Sequence, residues 1–156
     1  MGRKTYSATN RNAFTDLALG IRVDRATATL PQSTSSAIFN IVGGRVILRA
    51  IVGQVTTVLG AVGNLKLTST PTSGTASDIC AVVAAGSTAV QSLISIDGIA
   101  GNAAIIGTGA VRTMGTTGVI LPVGTLDLSL SSSSTGSVKW TVCYQPLDDG
   151  AYMTST

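Results

Sequence analysis

The sequence of 156 residues contains no histidine, no glutamate and only two cysteines. Histidine is the commonest general base and the commonest zinc ligand, so its absence excludes Ser-His-Asp and Cys-His catalytic arrangements. Two isolated cysteines, Cys80 and Cys143, cannot supply a structural zinc site. Both lie within apolar runs, which predicts buried, reduced thiols; a disulfide between them is the alternative.

Acidic residues are scarce as well, and all seven of them are aspartates. A carboxylate mechanism needs two acids that face each other across a cleft, whereas Asp148 and Asp149 are sequence neighbours that precede Gly150 and predict an exposed turn. The same turn offers too few oxygen ligands for calcium. The run GTGAVR at residues 107–112 lacks the third glycine of a dinucleotide fingerprint. The sequence therefore predicts no enzyme, no cofactor, no metal site and no small-molecule substrate.

Aromatic side chains make up 4% of the sequence, so the core must be built from valine, isoleucine, leucine and alanine. Seventeen serines, 22 threonines and 18 glycines accompany them, whereas residues that normally fill exposed helical faces are few. The six aromatic residues are too scattered to stack nucleic-acid bases. Trp140 alternates with Val138 and Val142, which predicts a core position, while Tyr144 and Tyr152 are predicted to serve an interface.

Charge is concentrated at one end of the sequence. Five basic residues and two aspartates among the first 25 residues account for the whole net charge of +3. Such an arm can bind nucleic acid, an anionic membrane or an acidic protein surface. The interspersed acids make nucleic acid an unlikely ligand, and a partner-docking tail is preferred. No secretory signal or transmembrane run is found, so we expect cytosolic synthesis and no membrane contact.

Short apolar alternations separated by turn residues predict an all-β fold, either an antiparallel β-sandwich or a jelly roll. Residues 1–24 are predicted to be an extended arm, in which residues 13–23 form helical turns or an extended anchor, and residues 25–156 a single domain. Residues 45–59 predict one long strand bent near Gly53, with Val46, Leu48, Ala50 and Val52 on one face. Gly43-Gly44 and the serine tract 131–134 predict hairpin loops. Further strands are predicted at residues 25–30, 37–42, 64–69, 78–83, 91–96, 104–106, 118–121, 125–130 and 137–144.

Partner contacts are predicted from charge and exposed aromatic character. Arg45 and Arg49 are predicted to share a strand face, where they bind a partner or pair with an aspartate of a neighbouring strand or subunit. The candidate partner-binding residues are Arg3, Lys4, Tyr6, Arg11, Phe14, Arg45, Arg49 and Tyr152.

Three motifs carry a resemblance to a known group of proteins: GGRV at residues 43–46, STGSVKW at residues 134–140 and PLDDGAY at residues 146–152. Together with their flanking segments, over about residues 26–154, they resemble small head-module proteins of tailed bacteriophages, of the capsid decoration or cement type. The resemblance implies a β-sandwich or jelly roll that forms homotrimers and clamps major capsid protein subunits on the outer surface of the virion. A head-fibre or receptor-binding domain is the alternative.

Overall fold

The computed structural model describes residues 20–60, 63–107 and 117–156. Strand-forming side chains alternate with polar ones through most of these residues, and 12 strands result. In chain order they are β1 (Ile21–Thr29), β2 (Ser35–Val42), β3 (Val46–Thr57), β4 (Asn64–Pro71), β5 (Ser77–Asp78), β6 (Val83–Ala84), β7 (Leu93–Ser95), β8 (Ile105–Gly107), β9 (Val119–Leu121), β10 (Gly124–Leu130), β11 (Ser137–Pro146) and β12 (Tyr152–Ser155).

The strands form two antiparallel sheets that pack face to face. The first sheet has the order β1-β11-β3-β7-β8, with β9 also paired to β3. The second has the order β12-β2-β10-β4-β5, with β6 also paired to β4. Successive strands alternate between the sheets from β1 to β4 and again from β10 to β12, which is the strand order of a jelly roll. The prediction of an antiparallel β-sandwich or jelly roll is confirmed.

The core lies between the sheets and is built by period-two alternation. On β10, Leu126 and Leu128 point inward, and on β11 Trp140 and Tyr144 do the same. Trp140 is 1% exposed, which confirms its predicted core position. The prediction that Tyr144 serves an interface is wrong, because its position on β11 has the same phase as Trp140 and buries the ring.

The long strand predicted over residues 45–59 is confirmed as β3, and its irregularities lie on either side of Gly53. Register shifts of β3 against β11 leave Arg49 and Thr56 as the extra, bulged residues. Because the bulge at Arg49 reverses the alternation, Ile51 points into the core and Ala50 away from it. The predicted common face of Val46, Leu48, Ala50 and Val52 is therefore wrong in its second half.

Both predicted hairpins are wrong. Gly43-Gly44 joins β2 of the second sheet to β3 of the first, and residues 131–136 join β10 of the second sheet to β11 of the first. Glycine pairs and serine tracts signal that the chain reverses. They carry no information on whether the reversed chain pairs with the preceding strand or crosses to the opposite sheet.

The predicted boundary of the arm at residue 24 also changes. Residues 21–24 belong to β1 and pair with β11, since Ile21 and Val23 are strand formers and Val23 packs against the core. Asp24 accepts a hydrogen bond from Thr141 Oγ1 at 2.6 Å and forms an ion pair with Arg22 at 2.6 Å. Residues 1–19, with most of the predicted helical or extended anchor at 13–23, lie outside the described residues.

Candidate interaction surfaces

Two sheet-crossing connections meet at one end of the sandwich, at residues 42–45 and residues 147–152, which we call the corner. Asp148 joins them: its Oδ2 accepts from the backbone N–H of Arg45 at 2.7 Å and from Nε at 3.0 Å, and its Oδ1 accepts from Nη2 at 2.7 Å. This is the two-pronged geometry that guanidinium and carboxylate groups favour. Two motifs of the sequence, GGRV and PLDDGAY, thus bind each other.

The glycines of the corner allow this close approach. Gly43 has a φ of +79°, and a side chain there would overlap with the carbonyl oxygen of Gly150. A Cβ atom at Gly44 would lie 2.6 Å from the Cβ atom of Asp148. The hydrogen bonds from the Arg45 side chain, followed by the one from its backbone, lower the pKa of Asp148 to about 2.

The lowered pKa predicts how stability depends on pH. An unfolded aspartate has a pKa of about 3.9, so as pH falls from about 4 to about 2 the unfolded state binds more protons than the folded state. Stability is therefore lost through this window. We expect Asp148→Asn to be less stable than the wild type at neutral pH and to show a shallower loss of stability below pH ~4.

Urea denaturation midpoints measured at a series of pH values would test this prediction. Arg45→Gln is the matched variant, because it removes the two side-chain hydrogen bonds from the other partner and keeps the backbone one, and the double variant should lose less than the sum of the two single variants. An acid dependence of Asp148→Asn equal to that of the wild type would contradict the assignment.

The corner also carries exposed apolar side chains. Tyr152 is 47% exposed and is paired with Val42 across β12 and β2, and Leu147 is exposed in the adjoining connection. Asp149 is exposed there and forms no ion pair with a described residue. The corner thus presents exposed apolar side chains with the negative charge of Asp149 beside them.

A second apolar surface lies at the opposite edge of the sandwich. Residues of β4, β5 and β9 and the segment 98–100 line a cavity of about 260 Å³, which we call the groove. Its rim carries Ile99, 52% exposed, Ile120, 63% exposed, and Val123. Ser69, Thr75, Ser77 and Asp78 supply polar groups to the lining.

Arg49 lies beside the groove. It lines a small neighbouring cavity together with Gly98, which also belongs to the groove lining. Within the described part of the chain, Arg49 has no ion pair with an acidic side chain. The groove is thus a concave apolar surface whose lining carries Asp78, ion-paired with Lys66 at 2.8 Å, and whose margin carries the positive charge of Arg49.

The structure places the predicted site residues apart. Arg45 binds Asp148 of its own chain, and pairing with an aspartate was one of the two predictions for this residue. Arg49 is a bulge residue beside the groove. The two arginines therefore do not form a common site. Tyr152 is exposed at the corner as predicted. The remaining predicted residues, Arg3, Lys4, Tyr6, Arg11 and Phe14, lie outside the described residues.

The groove was missed by sequence reasoning. Ile120 was assigned to a strand and Ile99 to a long loop, and no pattern joins positions so far apart in sequence. The apolar run VILPV at residues 119–123 is the signal that could have indicated an exposed apolar surface. A run this short does not need to be buried on both faces of the strand.

Hydrogen bonds of the serine tract hold the other end of the sandwich together. Gln32 Nε2 donates to the carbonyl oxygens of Leu30 and Ser134, each at 2.7 Å, and Ser131 Oγ accepts from the backbone N–H of Asn64 at 2.8 Å. The third motif, STGSVKW, begins in this tract. All three motifs therefore lie where the chain crosses between the sheets, and their described contacts are structural.

The two cysteines are unpaired. Cys80 is buried, as predicted, and burial raises the pKa of its thiol. Cys143 is only partly buried, because its phase on β11 is opposite to that of Trp140 and it points to the outer face of the first sheet.

Residues 20–60, 63–107 and 117–156 contain no group of three or more potential metal-ligating side chains. No helix in this described part is long and apolar enough to cross a membrane. Comparisons of the chain with protein-family models, with curated proteins and with solved structures find no match.

Proposed function

We propose that this protein is a non-catalytic structural component of a bacteriophage virion, a capsid decoration protein that binds across major capsid protein subunits as a homotrimer. The proposal takes its identity from the resemblance carried by GGRV, STGSVKW and PLDDGAY. A jelly-roll body with exposed apolar surfaces at two edges supports it, because contiguous exposed apolar surface marks sites of protein association.

The observation that carries the proposal is where the amino-terminal segment joins the body. Gly20 lies against the backbone of Tyr144, two residues before β11 ends, and so at the same end of the sandwich as the corner. The 19 preceding residues include Arg3, Lys4 and Arg11. A chain of this length reaches up to about 60 Å when extended, which is enough to contact a neighbouring capsid subunit.

Capsid binding tests the proposal. Purified protein would be added to phage heads assembled without it, and its occupancy and the heat resistance of the heads would be measured. We expect saturable occupancy and heads that withstand higher temperature. Deleting residues 2–12 should lower occupancy at least tenfold while leaving the thermal unfolding of the body unchanged.

A variant of the same length separates charge from contact area. Replacing Arg3, Lys4 and Arg11 by glutamine should slow association more than it speeds dissociation, and the difference should shrink at high salt. Full-length protein that leaves heads undecorated but binds host cells would contradict the proposal and favour a receptor-binding role.

A further inference from the structure

We propose that the corner of one copy docks in the groove of the next, so that the protein assembles head to tail. The inference deepens the homo-oligomer of the proposed function and rests on that part of it, not on capsid binding. A closed ring of identical subunits requires two different, complementary surfaces on each subunit. The corner and the groove have that relation.

The two surfaces match in shape and polarity. A cavity of about 150 Å³ accommodates a benzene ring, so the groove, at about 260 Å³, has room for the phenol ring of Tyr152. A buried tyrosine needs a partner for its hydroxyl group. Thr75 and Ser77 line the groove and can supply one, whereas the carboxylate of Asp78 already accepts from Lys66 Nζ at 2.8 Å and from Thr68 Oγ1 at 2.9 Å.

The two surfaces also match in charge. Asp149 stands beside Tyr152 at the corner, and Arg49 stands at the margin of the groove. Neither forms an ion pair with a described residue. In the docked pair, attraction between these opposite charges would favour one register of the two copies.

The positions of the two surfaces allow each copy to contact two neighbours at once. Tyr152 lies on β12, at one edge of the second sheet, and the groove is lined by β5, at the other edge. The edges are four strand spacings apart, about 19 Å. Contacts at opposite edges join each copy to two neighbours and not to a single two-fold mate.

The two surfaces are smaller than a whole interface of standard size and would form its central part. Interfaces of standard size involve about 20–30 residues on each side. Twelve residues line the groove, and the corner spans residues 42–45 and 147–152. These residues form the apolar centre of such an interface, and the polar residues around them form its rim.

Self-association of the full chain, measured by sedimentation equilibrium without any capsid, tests the proposal. We expect Tyr152→Ser and Ile120→Ser each to weaken association at least tenfold. Val58→Ser is the matched control, since Val58 is 49% exposed at the other end of the sandwich, and it should leave association unchanged. Thermal unfolding of each variant checks that the fold is retained.

Mixing and charge reversal identify the contact itself. An equimolar mixture of Tyr152→Ser and Ile120→Ser retains one intact corner–groove pair and should form dimers that do not close into a ring. Asp149→Lys and Arg49→Asp should each weaken association, and the double variant should restore it. A wild-type chain with a self-association Kd weaker than about 1 mM, or a double variant as weak as the single ones, would overturn the proposal. Loss of capsid binding by an intact oligomer would instead count against the proposed function alone.

Discussion

Replacing Trp140 by alanine is expected to lower the free energy of unfolding by about 3–5 kcal/mol. Trp140 is 1% exposed and lies on β11, between β1 and β3 in the first sheet. Its ring packs on Gly53, where an added Cβ atom would lie 2.7 Å from Cζ3. Alanine would leave a cavity that the surrounding strands can fill only partly, because sheet pairing holds the backbones of β11 and β3 in place.

Urea denaturation followed by far-ultraviolet circular dichroism would measure this loss. Lys139→Ala is the matched control, because Lys139 neighbours Trp140 but is exposed on the opposite face, and it should change stability by less than about 0.5 kcal/mol. Trp140→Phe keeps an aromatic ring and should lose less than Trp140→Ala. A loss below about 1 kcal/mol for Trp140→Ala would contradict the packing of this ring in the core.

Gly43→Ala is expected to cause the largest loss of stability after Trp140→Ala. Gly150→Ala is its matched control. Both glycines have nearly the same left-handed φ, +79° and +78°. A Cβ atom at Gly150 would meet nothing within 4 Å, whereas one at Gly43 would overlap with the backbone of Gly150. Gly150→Ala should therefore cost only the strain of a left-handed residue, about 1–2 kcal/mol.

Gly43→Ala carries the same strain and a further cost of about 1–3 kcal/mol for the displaced backbone. Differential scanning calorimetry of the two variants would give both values under the same conditions. Equal losses for the two variants would show that residues 43 and 150 are not in contact. Weaker pairing of Arg45 with Asp148 in Gly43→Ala would appear as a shallower acid dependence than in the wild type.

The fold class could be predicted because alternation is a local property. Most of the longer strands were predicted within a few residues of their observed bounds, and Trp140 was assigned to the core from its neighbours at positions 138 and 142. The strand β12 was not predicted, since only four residues form it and its alternation is too short to stand out. The bulge at Arg49 was also invisible, because register depends on the partner strand.

The candidate surfaces were predictable only in part, for a related reason. An exposed tyrosine near a turn suggested Tyr152, and opposite charges suggested that Arg45 has an acidic partner. Asp148 is this partner because two sheet-crossing connections meet at the corner. Their meeting depends on the whole topology. The groove combines residues of β4, β5 and β9 with a connecting segment, and no sequence spacing relates them.

The strands that join the early strands of each sheet are synthesised late. β11 lies between β1 and β3, and β10 lies between β2 and β4, so neither of these pairs of early strands is joined before residues 124–146 leave the ribosome. At about 5–20 residues per second, β1 waits on the order of ten seconds for its partner. The chain loses conformational entropy when it closes these long loops, before the contacts of β10 and β11 can offset that loss. Proteins dominated by such long-range contacts typically fold in milliseconds to seconds. The sandwich is therefore expected to complete its fold only after β11 has left the ribosome, and until then the edges of β1 and β2, whose partners β10, β11 and β12 come later in the chain, are where chaperones would act.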